Sequence, residues 1–510
     1  MSLPYLKKEN GLFNLYVEDK PFIALAGEVH NSSASNLNYM QQKVWPSLTE
    51  LNLNTLIVPV YWELIEPKQG EYDFELVDGI IEQARQENVR LVLLWFGLWK
   101  NGKSSYVPGW VKRNDATYFQ AVYQNKDTSD TISPLCEEAI EADATAFRQL
   151  MAHLKKVDSD QHTVIMIQVE NEIGFLGSNR DYSNIANEKF SLAIPKELET
   201  VFGVSGTWKE AFADHAEEYF MAYYYAHAVE QIARVGSDEY PLPMFVNAWL
   251  EQFPWNPGSY PTGGPIAKVM SIWKATAPTI CLYAPDIYVN NFAEICEEYS
   301  AGNENPLFIP EARRDVASVT NVFYAFGKHN ALCFSPFGIE DFLAAPDAFA
   351  EVDMSLLTSL NIDFSAFNAT GAGPYLARSY ELLGNMLGTI QKYRGTDKMT
   401  GFLQSLEPGC ILSFSKYDLK ITYKIRQEGK PLAGGLVIEI ADNEFILVGA
   451  NFSVEALPKR GASSKAGYVR IEEGVFIQEQ WVRGRVLNGD EAAYGFSIGS
   501  FPSALRVELY

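Results

Sequence analysis

Apolar residues fall into two regimes along the chain. Over roughly the first 390 residues, short continuous apolar runs alternate with longer stretches in which apolar residues recur at i, i+3, i+4 and i+7. The runs are PFIALAGE, TLIVPV, RLVLLWF, TVIMIQV, PMFVNAW, ICLYAPDIYV, PLFIPE and ALCFSPF. A strand covered on both faces reads as such a run, because neither side can be polar. Between them, FELVDGIIEQARQENV, ADATAFRQLMAHLKKV and KEAFADHAEEYFMAYYYAHAVEQIARVG carry the period of amphipathic helices. Eight strand-then-helix units predict an α/β fold, a (β/α)8 TIM barrel. No G-x-G-x-x-G follows the first strand, as a dinucleotide-binding sheet requires.

The stretch from Gly174 to Pro243 is too long for one helix and predicts an insertion near the barrel mouth. After one further predicted helix, PYLARSYELLGNMLGTIQKY, the pattern becomes short alternating runs broken by Gly, Asn and Pro. The expected organisation is a barrel over 1–395, with the insertion around 174–243, and a small all-β, sandwich-like accessory domain over 396–510.

With 47% hydrophobic and 13% aromatic residues in 510, the chain can bury a large core. Its formal charge of −23 opposes binding to nucleic acid or anionic membranes, so neither is expected as a partner. The N-terminal stretch lacks the apolar segment of a secretory signal, and the expected location is cytoplasmic. Five widely spaced cysteines without a C-x-x-C suggest reduced core thiols. The six histidines are scattered, and DHAEE around His215 reads as a solvated helix face, so no metal and no cofactor are expected.

GLWKNGKS (97–104) has the letters of a phosphate-binding loop after an apolar run. Such a loop must continue into a helix, yet Pro108 and Gly109 fall where its second turn would be. The nucleotide reading is therefore disfavoured.

In a barrel the chemistry sits at the C-terminal ends of the strands. IQVENEIGF places Glu170, Asn171 and Glu172 after the fourth run, and PLFIPEARRD places Glu311 at the end of the seventh, followed by Arg313 and Arg314. Two carboxyl groups on facing strand ends are the minimum for glycoside hydrolysis, one protonating the leaving oxygen and the other attacking or activating water. Asn171 could bind a sugar hydroxyl, and an arginine near Glu311 would favour its ionised form. The same acids could equally cap loops or form ion pairs. Glu170, two residues before Glu172, is expected to point to the opposite face if the strand is still extended there.

These residues carry a resemblance. QVENEIG resembles the Q-x-E-N-E-Y-G of family 35 β-galactosidases, and LNLNTLIVPVYWELIEPKQGEYDFELVDGIIEQA resembles that family's second strand and helix. AGEVH (26–30) is similar to its S-G-S-I-H, and VPGWV (107–111) to its P-x-W-L. The likeness runs over about residues 10–340, and the C-terminal β region resembles the accessory domain of a divergent bacterial branch. It implies a retaining, exo-acting β-glycosidase, with Glu172 as acid/base, Glu311 as nucleophile and a glycoside or oligosaccharide as substrate. Tyr288 matches the position from which a tyrosine of this clan hydrogen-bonds the nucleophile. Departures occur at Pro59, where the family has a tyrosine, at Glu63, where it has an asparagine, and in GLWKN, which replaces a Cys-Ala-Glu that touches the sugar.

On this reading GLWKNGKS lines the sugar site, with Lys100 and Asn101 bonding hydroxyls and Trp99 stacking. Asn247 and Trp249 end the fifth strand, while His30 and Glu63 follow the first and second; all four are further substrate-binding candidates. Each could instead be an ordinary residue of the barrel rim. Galactose is the expected sugar. Alternatives are a glucoside, arabinoside or xyloside specificity, or a barrel that binds carbohydrate without turnover; a homo-oligomer is also open to the chain.

Overall fold

The computed structural model describes residues 2–300, 304–343, 363–459, 466–487, 489–492 and 495–510. Its centre is an eight-stranded sheet of β1 (Ala24–Glu28), β2 (Thr55–Tyr61), β3 (Arg90–Lys100), β4 (Val164–Asn171), β5 (Met244–Trp249), β6 (Ile280–Asp286), β7 (Phe308–Ala312) and β8 (Cys333–Pro336). The pairings are parallel from β1 through to β6, and again from β7 to β8 and from β8 back to β1. A parallel bridge between Ile287 and Ala312 joins the remaining edges and closes the ring. β2 and β4 are buried at every position, which explains why their sequences show no alternation.

One principal helix follows each strand: α1 (Trp45–Leu51), α2 (Glu75–Gln86), α3 (Glu137–Asp158), α4 (Ala216–Glu239), α5 (Met270–Thr276), α6 (Phe292–Ser300), α7 (Asn321–His329) and α8 (Gly373–Gly384). The fold is a (β/α)8 barrel followed by an all-β region. The sequence between β4 and α4 forms three short helices, Asn184–Phe190, Lys196–Phe202 and Trp208–Phe212. The last of these is separated from α4 by Ala213, whose φ of 48° breaks the helical run. The single helix expected over PYLARSYELLGNMLGTIQKY is two, because the chain leaves α8 at Asn385 and Met386 before Leu387–Tyr393 resumes.

From Met399 onward the strands form two antiparallel sheets, one of six strands and one of four. Phe402, Val437, Phe445 and Leu447 of the larger sheet share a buried cluster with Leu419, Ile421, Phe452 and Val454 of the smaller. This region is tied to the barrel: Leu432 N–H donates to the Ala317 carbonyl at 3.0 Å, and the Glu479 carboxylate accepts from the Gly388 and Thr389 amides at 2.7 and 2.8 Å.

Candidate active site

The GLWKNGKS stretch is a strand end and a turn. β3 continues through Gly97 to Lys100, and the Lys100 and Lys103 backbones then exchange hydrogen bonds at 2.8 and 3.0 Å around Asn101 and Gly102. Those two residues have φ of 53° and 66°, the left-handed pair that makes Asn-Gly a preferred tight turn. No helix starts at Lys103, the next being a single turn at Gly109–Lys112: Ser104 Oγ accepts from the Ile132 amide, and Lys103 lies on the surface 3.5 Å from Asp130. A phosphate loop is thereby excluded. Gly97 is required because a Cβ there would lie 2.3 Å from Asp143 Oδ2 and 2.5 Å from Glu170 Oε1.

That contact reveals where Glu170 goes. Its carboxylate accepts from the Leu98 and Trp99 amides at 3.1 and 2.6 Å and bonds with Asp143 of α3, on the helix side of the sheet. An extended strand would have sent Glu170 and Glu172 to the same face. Left-handed backbone at both residues, φ 64° and 46°, separates them across the kinked end of β4. Burial and the neighbouring acid hold Glu170 well above the usual carboxyl range, and burial raises Asp143 to about 6.

Glu172 turns into a cavity of about 660 Å³ at the C-terminal ends of the strands, where it meets Asp286, Glu311, Tyr288 and Lys100. Carboxylate oxygens of Glu172, Asp286 and Glu311 all lie within 4.8 Å of one another. Asn247, fully buried at the end of β5, joins them: its Oδ1 accepts from the Glu172 amide at 2.9 Å, and its Nδ2 donates to Asp286 Oδ2 at 2.7 Å and Glu311 Oε1 at 3.3 Å. Tyr288 donates its hydroxyl proton to Glu311 Oε2 at 2.5 Å.

Burial pushes Glu172 up to about 8, with the Glu311 charge adding to the shift and Lys100 opposing it. Asp286 is raised well above its ordinary range by burial and then by the charges of Glu311, Glu172 and Glu28. Lys100 is only 7% exposed, lies 5.1 Å over the Phe96 ring, and supplies positive charge among these acids. The Asn171 amide sits 2.9 Å from Lys100 Nζ, within the strand-end network rather than on the cavity lining.

Two acids of this centre, Glu28 and Asp286, were not singled out from the sequence. Glu28, at the end of β1, is 1% exposed, and neither of its oxygens has a hydrogen-bond partner among the described residues. Burial first, and the Glu311 charge second, hold it well above the usual range. Both acids end an apolar run, in AGEVH and APDIYV, and that position was the available signal.

Other candidates land elsewhere. Trp99 is fully buried, donates from Nε1 to the Ile132 carbonyl and packs edge-on against Tyr225, which corrects its expected role in sugar stacking. Glu63 pairs with Lys112 at 3.0 Å, and His30 pairs with Asp341 at 2.8 Å; neither lines the cavity that holds Glu172 and Glu311. Arg313 and Arg314 bond Asp315 and Asp341, so the expected arginine support of Glu311 is replaced by Tyr288 and Asn247. Asn101 and Trp249 do line the cavity.

A glycoside hydrolase family 42 model, described as β-galactosidase, matches residues 38–220, and a domain of unknown function (DUF5597) matches residues 376–499. The first match takes in β2, β3 and β4 with Glu172, and ends before β5. β-Galactosidase BbgII of Bifidobacterium bifidum is 24% identical over 195 residues, 36% of this chain and 26% of that protein. The β-galactosidase of Bacillus circulans sp. alkalophilus aligns with a TM-score of 0.45 and 14% identity, over 62% of this chain and 50% of that one. The β-galactosidase of Marinomonas ef1 gives 0.43 and 12%, over 72% and 65%. Over residues 38–220 the chain is similar to β-galactosidases through a family 42 rather than a family 35 model. Among the described residues, no helix is long and apolar enough to cross a membrane.

Proposed function

We propose that this protein is a retaining β-glycosidase acting on terminal β-linked galactose, with Glu172 as acid/base and Glu311 as nucleophile. The observation that carries this reading is the facing pair itself. One carboxylate oxygen of each lies within 4.8 Å of an oxygen of the other, and it is the close pair of carboxyl groups that a retaining mechanism uses.

Glu311 attacks the anomeric carbon while the bond to the leaving oxygen breaks and that oxygen takes the proton of Glu172, which at about 8 is protonated near neutral pH. The glycosyl ester on Glu311 is then hydrolysed by a water whose proton returns to Glu172, giving net retention. Tyr288 and Asn247 hold the attacking carboxylate, while Lys100 offsets the negative charge around it.

The choice of galactose is supported by the β-galactosidase match over 38–220 and by the family 35 likeness of QVENEIG. A panel of nitrophenyl β-glycosides tests the sugar against glucoside, arabinoside and xyloside, and binding without turnover would favour a non-catalytic barrel. Early-time NMR of the digest tests the mechanism: β-galactose should appear first, and α-galactose first would overturn retention.

A further inference from the structure

Glu170 is an acid that the proposed reaction does not use, yet the end of β3 is built around it. Trp95 of β3 pairs with Val169 of β4 and Lys100 with Asn171, so that Phe96 to Trp99 stand against Glu170 alone. Residues bulged out of a ladder leave backbone N–H groups without a strand partner. Side chains supply the acceptors here. Glu170 takes the Leu98 and Trp99 amides at 3.1 and 2.6 Å, while Asp143 of α3 takes the Leu98 amide at 2.8 Å and the Trp95 indole N–H at 2.7 Å. Both acids are fully buried, and they are hydrogen-bonded to each other. The bulge they fill ends at Lys100, and the turn beyond it is pinned to the end of β4: the Asn101 and Gly102 amides donate to the Asn171 and Glu172 carbonyls, each at 3.1 Å.

We propose that Asp143 and Glu170 share one proton, with Asp143 ionised and Glu170 donating to it, and that the pair is a positioning unit that sets the Lys100 ammonium beside Glu172. The proposal rests on the glycosidase reading and adds to it a support that lies outside the cavity. The partners dictate where the proton is. The groups bonded to Asp143 are all donors, so its oxygens serve as acceptors, whereas Glu170 has one oxygen on the Trp99 amide and the other free to donate. A second buried charge would find only repulsion, since Glu66 adds a further negative charge near Asp143. On the cavity side, Glu172 is faced by Glu28 from β1, Asp286 from β6 and Glu311 from β7, and Lys100 is the positive group among them. Moving Lys100 away therefore removes what favours the ionised form of Glu172.

Substitution by amides tells the two acids apart. Glu170→Gln can still donate to Asp143 and accept from Trp99, so it should recover most of the galactoside kcat/KM that Glu170→Leu loses, a loss of about tenfold or more. Asp143→Asn replaces an acceptor by an NH2 group that faces donors, and should lose about as much as Glu170→Leu. With Lys100 displaced, the alkaline midpoint of kcat/KM in Asp143→Asn should also move upward, as it should in Lys100→Met, while in Glu170→Gln it stays at the wild-type position. A loss of folded protein would lower the rate without moving the midpoint. The proton itself is read from the infrared difference between wild type and Glu170→Gln, both made with isotope-labelled glutamate: at neutral pH it should contain the carbonyl stretch of a protonated carboxyl. That spectrum needs neither substrate nor a folded Asp143→Asn. Carboxylate bands alone, full activity in Asp143→Asn, or equal losses in Glu170→Gln and Glu170→Leu would overturn the shared proton, and an unmoved midpoint in a slowed Asp143→Asn would overturn its hold on Lys100. Wild-type protein that turns over no galactoside refutes the glycosidase reading instead, and the spectrum still decides the pair.

Discussion

Tyr288 donates its hydroxyl proton to Oε2 of Glu311 at 2.5 Å, across the point where Ile287 bridges to Ala312 and closes the barrel. The seam of the fold and the support of the proposed nucleophile are therefore adjacent in the chain. A hydrogen bond to a charged group contributes about 1.5 to 3 kcal/mol. Tyr288→Phe should accordingly lower kcat/KM on galactosides roughly 10- to 100-fold while the far-ultraviolet circular dichroism stays that of wild type. An unchanged rate would mean that the hydroxyl does not act on the attacking carboxylate.

The pH profile follows from Glu172. Its carboxyl is raised to about 8, so the acid form persists through neutrality and is lost above it. The expected kcat/KM falls on the alkaline side with a midpoint near that value, although the limb belongs to the interacting set of acids rather than to one residue. Glu172→Gln, assayed with a dinitrophenyl galactoside whose leaving group needs no proton, should lose the alkaline limb of its glycosylation rate. Retention of the same limb would move the acid role elsewhere.

The barrel was legible because strands buried on both faces must be continuously apolar, and because the helices between them bury only one face. The facing glutamates were legible as strand-end acids. Which way such a residue points was not: strand alternation puts Glu170 and Glu172 together, and only the left-handed backbone at both positions sends one to Asp143 and the other into the cavity. Trp99 and Lys100 are neighbours on one strand, yet the tryptophan serves the core and the lysine the site. Glu28 and Asp286 were marked only as acids that end apolar runs, and their burial was not legible, because an acid buried without a full set of partners has the same letter as one in solvent.

Those buried acids should make stability depend on pH in a definite direction. Glu28 has its folded value raised well above 4.5, so the native state holds its proton where the unfolded chain has released it. Its contribution is fully present below about 4.5 and falls as pH rises toward the raised value. Asp286 and Glu170 act in the same sense. Denaturant midpoints of the wild type should decline from pH 5 to pH 8, and Glu28→Gln, which cannot ionise, should decline less. The gap between the two proteins should widen in favour of the variant as pH rises from 5 to 8, because only the wild type must ionise a buried carboxyl at this position. Parallel curves would show that Glu28 is not held protonated in the folded protein.

The two glutamates can be told apart by the anomer of an azide product. Glu311→Ala removes the nucleophile and leaves space on its side of the sugar. Azide entering there displaces the leaving group in a single inversion and gives the α-galactosyl azide. Glu172→Ala leaves Glu311 free to attack when the leaving group is activated, so the glycosyl-enzyme forms and accumulates without a base to deliver water. Azide then attacks from the opposite face and releases β-galactosyl azide, a second inversion that restores the starting configuration. Each variant should lose roughly 10³-fold or more in unaided turnover of galactosides needing protonation, within the range seen when a reacting side chain is deleted. Glu170→Gln is the control, because its carboxylate is bonded to the Leu98 and Trp99 amides on the helix side of β4. That variant should show no azide rescue. If it gives β-galactosyl azide while Glu172→Ala remains active, the acid/base lies two residues earlier, and the kink at the end of β4 has been given the wrong role.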